Sequence, residues 1–81
     1  MEPNTRTLDC IGEEETVRVA SLEMQGTIRS RLMDLGVIPG ALVTCVHAGG
    51  GIAAYRICGA VIALRSTDAQ HILITNTPPV H

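Results

Sequence analysis

Cys45 and His47 stand two residues apart in the run Leu42-Val43-Thr44-Cys45-Val46-His47-Ala48. In a regular strand that spacing puts both side chains on one face, because successive side chains alternate. A thiolate beside an imidazole is a donor pair for Zn²⁺ or Fe²⁺, and zinc takes about four such ligands at roughly 2.0–2.3 Å. Cys58 and His71 are the residues that would approach the pair. The candidate metal ligands are therefore Cys45, His47 and His71. A plainer reading competes with this one: Cys45 fills the place of a core valine, since free cysteine is among the most buried residue types. Zinc or Fe²⁺ then meets only surface histidines such as His47, His71 or His81 adventitiously, most readily across a dimer contact. The plainer reading is preferred, and no cofactor is required.

The other reactive residues form no catalytic set. Glu13-Glu14-Glu15 reads as a solvated acidic turn. Gly49-Gly50-Gly51 lacks the Lys-Ser/Thr that completes a phosphate loop, and no nucleophile elbow is present. An enzyme is not expected. Nucleic acid is not an expected partner either: all six cations are arginine, the net charge is −2, and Tyr55 is the only aromatic residue. Backbone binding needs an excess of positive charge, and single strands are read on aromatic platforms. Three cysteines without CxxC spacing read as reduced thiols of a cytosolic protein. The N-terminus has no apolar signal-peptide core, and no stretch reaches the roughly 20 apolar residues of a membrane span. A cytoplasmic protein without direct membrane insertion is expected.

Eighty-one residues make one domain, in which 46% hydrophobic residues build an aliphatic core. Residues 1–7 read as a loose tail, 8–76 as the domain and 77–81 as a second tail. Thr16 to Ala20 alternates as a half-buried strand with Val17 and Val19 inward. Met24, Ile28, Leu32 and Leu35 form a helical stripe, with Met33 roughly opposite. Gly36 ends that helix, and Pro39-Gly40 fits the centre of a type II turn. Leu42 to Ala48 is the second strand, Gly49-Gly50-Gly51 a flexible hairpin loop, and Ala53 to Cys58 the third strand. Gly59 breaks or bulges the ladder. Ala60 to Arg65 is the fourth strand with Ile62 and Leu64 inward, Ser66 to Gln70 a single helical turn, and Ile72 to Thr75 the fifth strand. The predicted fold is mainly β: a small five-stranded SH3-like barrel with one short α-helix after the first strand and one helical turn before the last.

Leu35-Gly36, Pro39-Gly40 with the strand after it, and Gly59-x-x-x-Ala63-Leu64-Arg65 together resemble the FeoA family, small cytosolic proteins of bacterial ferrous-iron uptake. The same SH3-like module is found at the C-terminus of DtxR-type regulators. Arg31, Leu32, Leu35, Gly36, Pro39, Gly40 and Val43 match the first block of the family. Gly59, Ala63, Leu64, Arg65, Ala69 and Ile72 match the second. The chain departs where the family often carries a Pro and a Gly-Asp-Pro, having Ala48-Gly49-Gly50-Gly51-Ile52-Ala53 instead. The resemblance implies a non-enzymatic accessory protein whose partner is the cytosolic region of the ferrous-iron transporter FeoB, which carries a GTPase domain. It also implies that Leu35, Gly36, Pro39, Gly40, Gly59 and Leu64 determine the fold rather than form a site.

Surplus apolar residues then mark the expected docking surface, which is Met33, Val37 and Ile38 near the Leu-Gly corner with arginines setting orientation; the side carrying Arg56 and Arg65, which point away from the core, is the less favoured face. Val61 and Ala63 add apolar surface on the outer side of the fourth strand. The alternatives are a metal-responsive regulatory domain using Cys45, His47 and His71, and a structural module that self-associates as a homodimer through strand edges.

Overall fold

The computed structural model describes residues 6–76. Expectations for residues 1–5 and 77–81, His81 among them, lie outside the described residues. The elements are β1 (Arg6–Thr7), a 3₁₀ turn (Leu8–Cys10), β2 (Thr16–Leu22), α1 (Thr27–Asp34), β3 (Leu42–Gly49), β4 (Ile52–Ile57), β5 (Ala60–Arg65), α2 (Ser66–Ala69) and β6 (Ile72–Asn76). All strand pairs are antiparallel, in the order β1-β6-β2-β3-β4-β5.

Two expectations are corrected here. The sheet has six strands, because Arg6 and Thr7, placed by sequence in a loose tail, pair with Ile74 and Leu73. The Arg6 guanidinium holds that strand through Glu15 Oε2 at 2.7 Å and the Cys10 carbonyl at 3.2 Å. The sheet is also not closed: β1 and β5 are its two edges and do not pair with each other.

Two bulges shape the curvature. In β2, Val19 pairs with Ile74 and Ser21 with Leu73, so Ala20 is the extra residue and both Val19 and Leu22 turn inward. In β3, Cys45 pairs with Tyr55 and His47 with Ala54, so Val46 is extra. The core collects Val17, Val43, Cys45, Ile57, Ile72 and Ile74, each no more than 1% exposed, and Leu32 and Val37 bring α1 onto it. Apart from Tyr55, whose hydroxyl donates to the Leu8 carbonyl at 3.5 Å, the buried side chains among the described residues are apolar or cysteine.

Helix α1 ends by the paired bonds of a Schellman motif. The Gly36 N–H donates to the Met33 carbonyl and the Val37 N–H to the Leu32 carbonyl, both at 3.0 Å. Gly36 at φ 104° supplies the left-handed residue, and Leu32 and Val37 make the apolar contact that accompanies such an end. Ala41 N–H then donates to Ile38 O across Pro39-Gly40 at 3.0 Å, which closes the predicted turn. Leu35, assigned by periodicity to the buried stripe, is 42% exposed, because the chain reverses immediately after it. Only Gly50 and Gly51 connect β3 to β4; Gly49 still pairs with Ile52, so the expected three-glycine loop is a tight turn. Cys58 and Gly59, at φ 51° and 82°, form the corresponding two-residue turn between β4 and β5.

Candidate partner-binding surface

Register fixes which side chains share the outer face of the sheet. Thr16, Thr44, Arg56 and Val61 stand in one cross-strand row, with Thr16 and Thr44 hydroxyls 2.7 Å apart. The next rows on β4 and β5 pair Ala54 with Ala63 and Ile52 with Arg65. Leu42 lies on the same face of β3, two residues before Thr44. Leu42, Ile52 and Val61 are 47%, 48% and 56% exposed, and both arginines are exposed beside them. None of the residues of β3, β4 and β5 is acidic, and the one carboxylate shown against their outer face is Glu13, at His47. The β4–β5 turn adjoins the corner after α1 through Cys58 and Gly36, and that corner presents Leu35 and Ile38.

This differs from the surface expected from sequence. Ile38, Arg56 and Arg65 are exposed as expected. Val37 is 0% exposed, because the Schellman turn folds it back onto Leu32. Met33 is half-buried and packs against the core, so it is not a free surface methionine. The sequence signal that would have found Ile52 and Leu42 is period-two counting outward from the buried Tyr55 and Val43.

The candidate metal ligands are not brought together. Cys45 is fully buried, whereas the Val46 bulge turns His47 outward opposite Ala54. His71 lies after α2, where its carbonyl accepts the Glu23 N–H. No three His, Cys, Asp or Glu side chains cluster for a metal among the described residues. Burial, and after it the nearby Glu13 carboxylate, pushes the Cys45 thiol up from its ordinary value. Its burial suits a small apolar core residue.

The acidic run is also more than a solvated turn. Glu13 Oε2 accepts the Ala48 N–H at 3.0 Å and lies 3.2 Å from His47 Nδ1. Glu14 donates its N–H to Cys45 O, and Cys45 donates its own to Glu15 O. Arg6 and the Gly12 N–H hold the Glu15 carboxyl below the usual carboxylate value. These three glutamates therefore tie the segment before β2 to β3 and β1.

The geometry defines a small, open, antiparallel β-domain of SH3-like type that presents an apolar face with two arginines. A family model for the FeoA domain matches residues 6–76, and the chain belongs to the FeoA family, which is associated with ferrous-iron transport. FeoA of Chlorobium tepidum superposes with a TM-score of 0.84 at 22% identity, over 93% of this chain and 73% of that one. The zinc complex of Stenotrophomonas maltophilia FeoA, a prokaryotic SH3 domain protein, gives 0.77 at 24% identity over 84% and 87% of the two chains. A manganese-dependent transcriptional repressor with manganese gives 0.85 at 19% identity, over 95% of this chain and 39% of that one. No curated protein matches. FeoA is a family of small SH3-like domains and not a known enzyme family. Among the described residues no helix is long and apolar enough to cross a membrane.

Proposed function

We propose that this chain is a cytoplasmic, non-enzymatic accessory protein of ferrous-iron uptake that docks on the cytosolic region of a FeoB-like GTPase transporter. The observation that supports this reading is the outer sheet face. Leu42, Ile52 and Val61 are each about half exposed there, with Arg56 and Arg65 among them; no residue of β3, β4 or β5 is acidic, and the Glu13 carboxylate reaches this face only at His47, at the far end of β3 from Leu42. Exposed apolar surface framed by polar residues is characteristic of protein interfaces, and arginine is enriched in them. In this reading apolar area supplies the affinity, while the arginines set orientation and association rate against an acidic partner surface. The docking face is the sheet side with Ile38 at its margin, rather than the Met33 and Val37 corner. Calorimetric titration with the transporter's cytosolic domain, with and without Fe²⁺, tests it. Saturable binding that needs no metal supports the reading; absence of heat at both conditions overturns it.

A further inference from the structure

The two edges of the sheet are not equivalent. The described part of β1, Arg6–Thr7, is anchored by charged Arg6 through Glu15, and a charge on an edge strand is an ordinary way of blunting it. β5 is six residues long, and Ala60-Val61-Ile62-Ala63-Leu64 carries no charge and no proline before Arg65. Its hydrogen-bonding phase follows from the two ends of the β4–β5 hairpin. Ile57 and Ala60 close the two-residue turn, and the Ser66 N–H donates to Gly51 O at 2.8 Å at the far end. Antiparallel pairs alternate, so Ala60, Ile62 and Leu64 exchange bonds with β4. The N–H groups of Val61, Ala63 and Arg65, and the carbonyls of Val61 and Ala63, point out of the sheet edge. No described residue pairs with them.

The same three residues carry their side chains on the outer face, with Arg56 opposite Val61. A strand laid along β5 thus brings alternate side chains beside Val61, Ala63 and Arg65. A second copy paired there around Ala63 would set Arg65 in one row with Val61 and Arg56 of its partner, gathering four arginines on one face. Like charges within each of these rows, two strands apart, oppose that arrangement. Carboxylates in the same places meet Arg56 and Arg65 favourably.

We propose that the β5 edge accepts an extended, acidic polypeptide segment of a partner as an added strand. Main-chain bonds to Val61, Ala63 and Arg65 add to the affinity of the apolar contact, and carboxylates facing Arg56 and Arg65 give the selectivity, as in other cases of strand addition. The proposal rests on the docking reading above and supplies its mode of contact.

The test is amide exchange and chemical-shift mapping of the full chain against two probes. One is the transporter's cytosolic domain; the other is a capped synthetic peptide in which Glu alternates with Val, with its Lys-for-Glu counterpart as control. The expected result is slowed exchange at the Val61, Ala63 and Arg65 amides with the acidic peptide but not the basic one. Ala63→Pro removes one edge donor without touching a β4 bond and should weaken binding about tenfold; Arg65→Glu should invert the preference between the two peptides. If the transporter domain binds while these amides keep their exchange rates, the edge proposal is overturned and docking stands. If the acidic peptide protects them and the transporter domain does not bind, the transporter reading falls and the edge stands. Protection that appears without any probe and is lost on dilution assigns the edge to a second copy, and overturns the acidic partner.

Discussion

A Cβ built on Gly36 would stand 2.8 Å from Cys58 Sγ and 3.3 Å from Cys58 Cβ. The end of α1 and the β4–β5 turn are therefore interlocked, and each side of the contact is conformationally unusual. Gly36 sits at φ 104° and Cys58, which is not a glycine, at φ 51°.

Gly36→Ala meets both a steric and a backbone penalty, and should lower stability by about 1–3 kcal/mol. Cys58→Gly removes the thiol and relieves the left-handed strain at that position, so alone it should be neutral or stabilising by up to about 1 kcal/mol. The double variant should recover the steric part of the Gly36→Ala loss but not its backbone part. Chemical denaturation of the four proteins measures this; a double variant no better than Gly36→Ala alone would show that the contact itself contributes little.

The Tyr55 ring is buried between strands, and burial pushes its hydroxyl up to about 12 from an ordinary 10. A folded state that holds its proton more tightly loses stability once the unfolded chain begins to ionise. Stability should be unaffected by this group below pH 10, and should fall as pH rises from 10 toward 12. Tyr55 is the only aromatic residue, so near-ultraviolet absorbance follows its ionisation alone. That signal and the loss of β structure by circular dichroism should move together.

Glu15 lies on the opposite side of the pH scale. Its carboxyl is held below the ordinary 4.5, first by the Arg6 hydrogen bond and then by the Gly12 N–H. The stabilisation is complete above that ordinary value and is lost as pH falls below it. Both side chains are about one-third exposed, so the pair contributes only about 0–1 kcal/mol. Glu15→Gln should flatten the acid limb of the stability curve by that amount and release β1, seen as faster exchange at the Arg6 and Thr7 amides.

Cys45→Ala opens a small cavity in the core and should cost about 1–2 kcal/mol. Because His47 faces outward, the same variant should leave zinc affinity unchanged, as read by calorimetry. A loss of zinc binding with Cys45→Ala would place the thiol in a metal site after all.

Val61 and Val37 separate surface from core. Val61→Glu falls on the exposed face and should change stability by no more than about 0.5 kcal/mol while weakening transporter docking about tenfold. Val37→Ala, at a fully buried position, should instead lower stability by about 2 kcal/mol. Equal stability losses in the two variants would remove the assignment of the outer face.

Local chemistry was enough to read much of this protein from its residues. Gly36 and Pro39-Gly40 placed the helix end and the turn after it, since each needs a particular φ that few residues supply. Alternation placed Val17, Val19, Val43, Tyr55 and Leu64 inward, because one buried face suffices to set a strand's register. What alternation cannot show is the bulge at Val46, where one added residue moved His47 to the face opposite Cys45 and dissolved the candidate metal pair. Nor could helical periodicity see that Val37 folds under and Leu35 stays out, because the Schellman reversal lies beyond the helix. The pairing of Arg6 and Thr7 with β6, and the β5 edge that no described residue pairs, depend on contacts between segments far apart in the chain. Turns and faces are properties of neighbours in sequence; register shifts and sheet edges exist only once the strands have met.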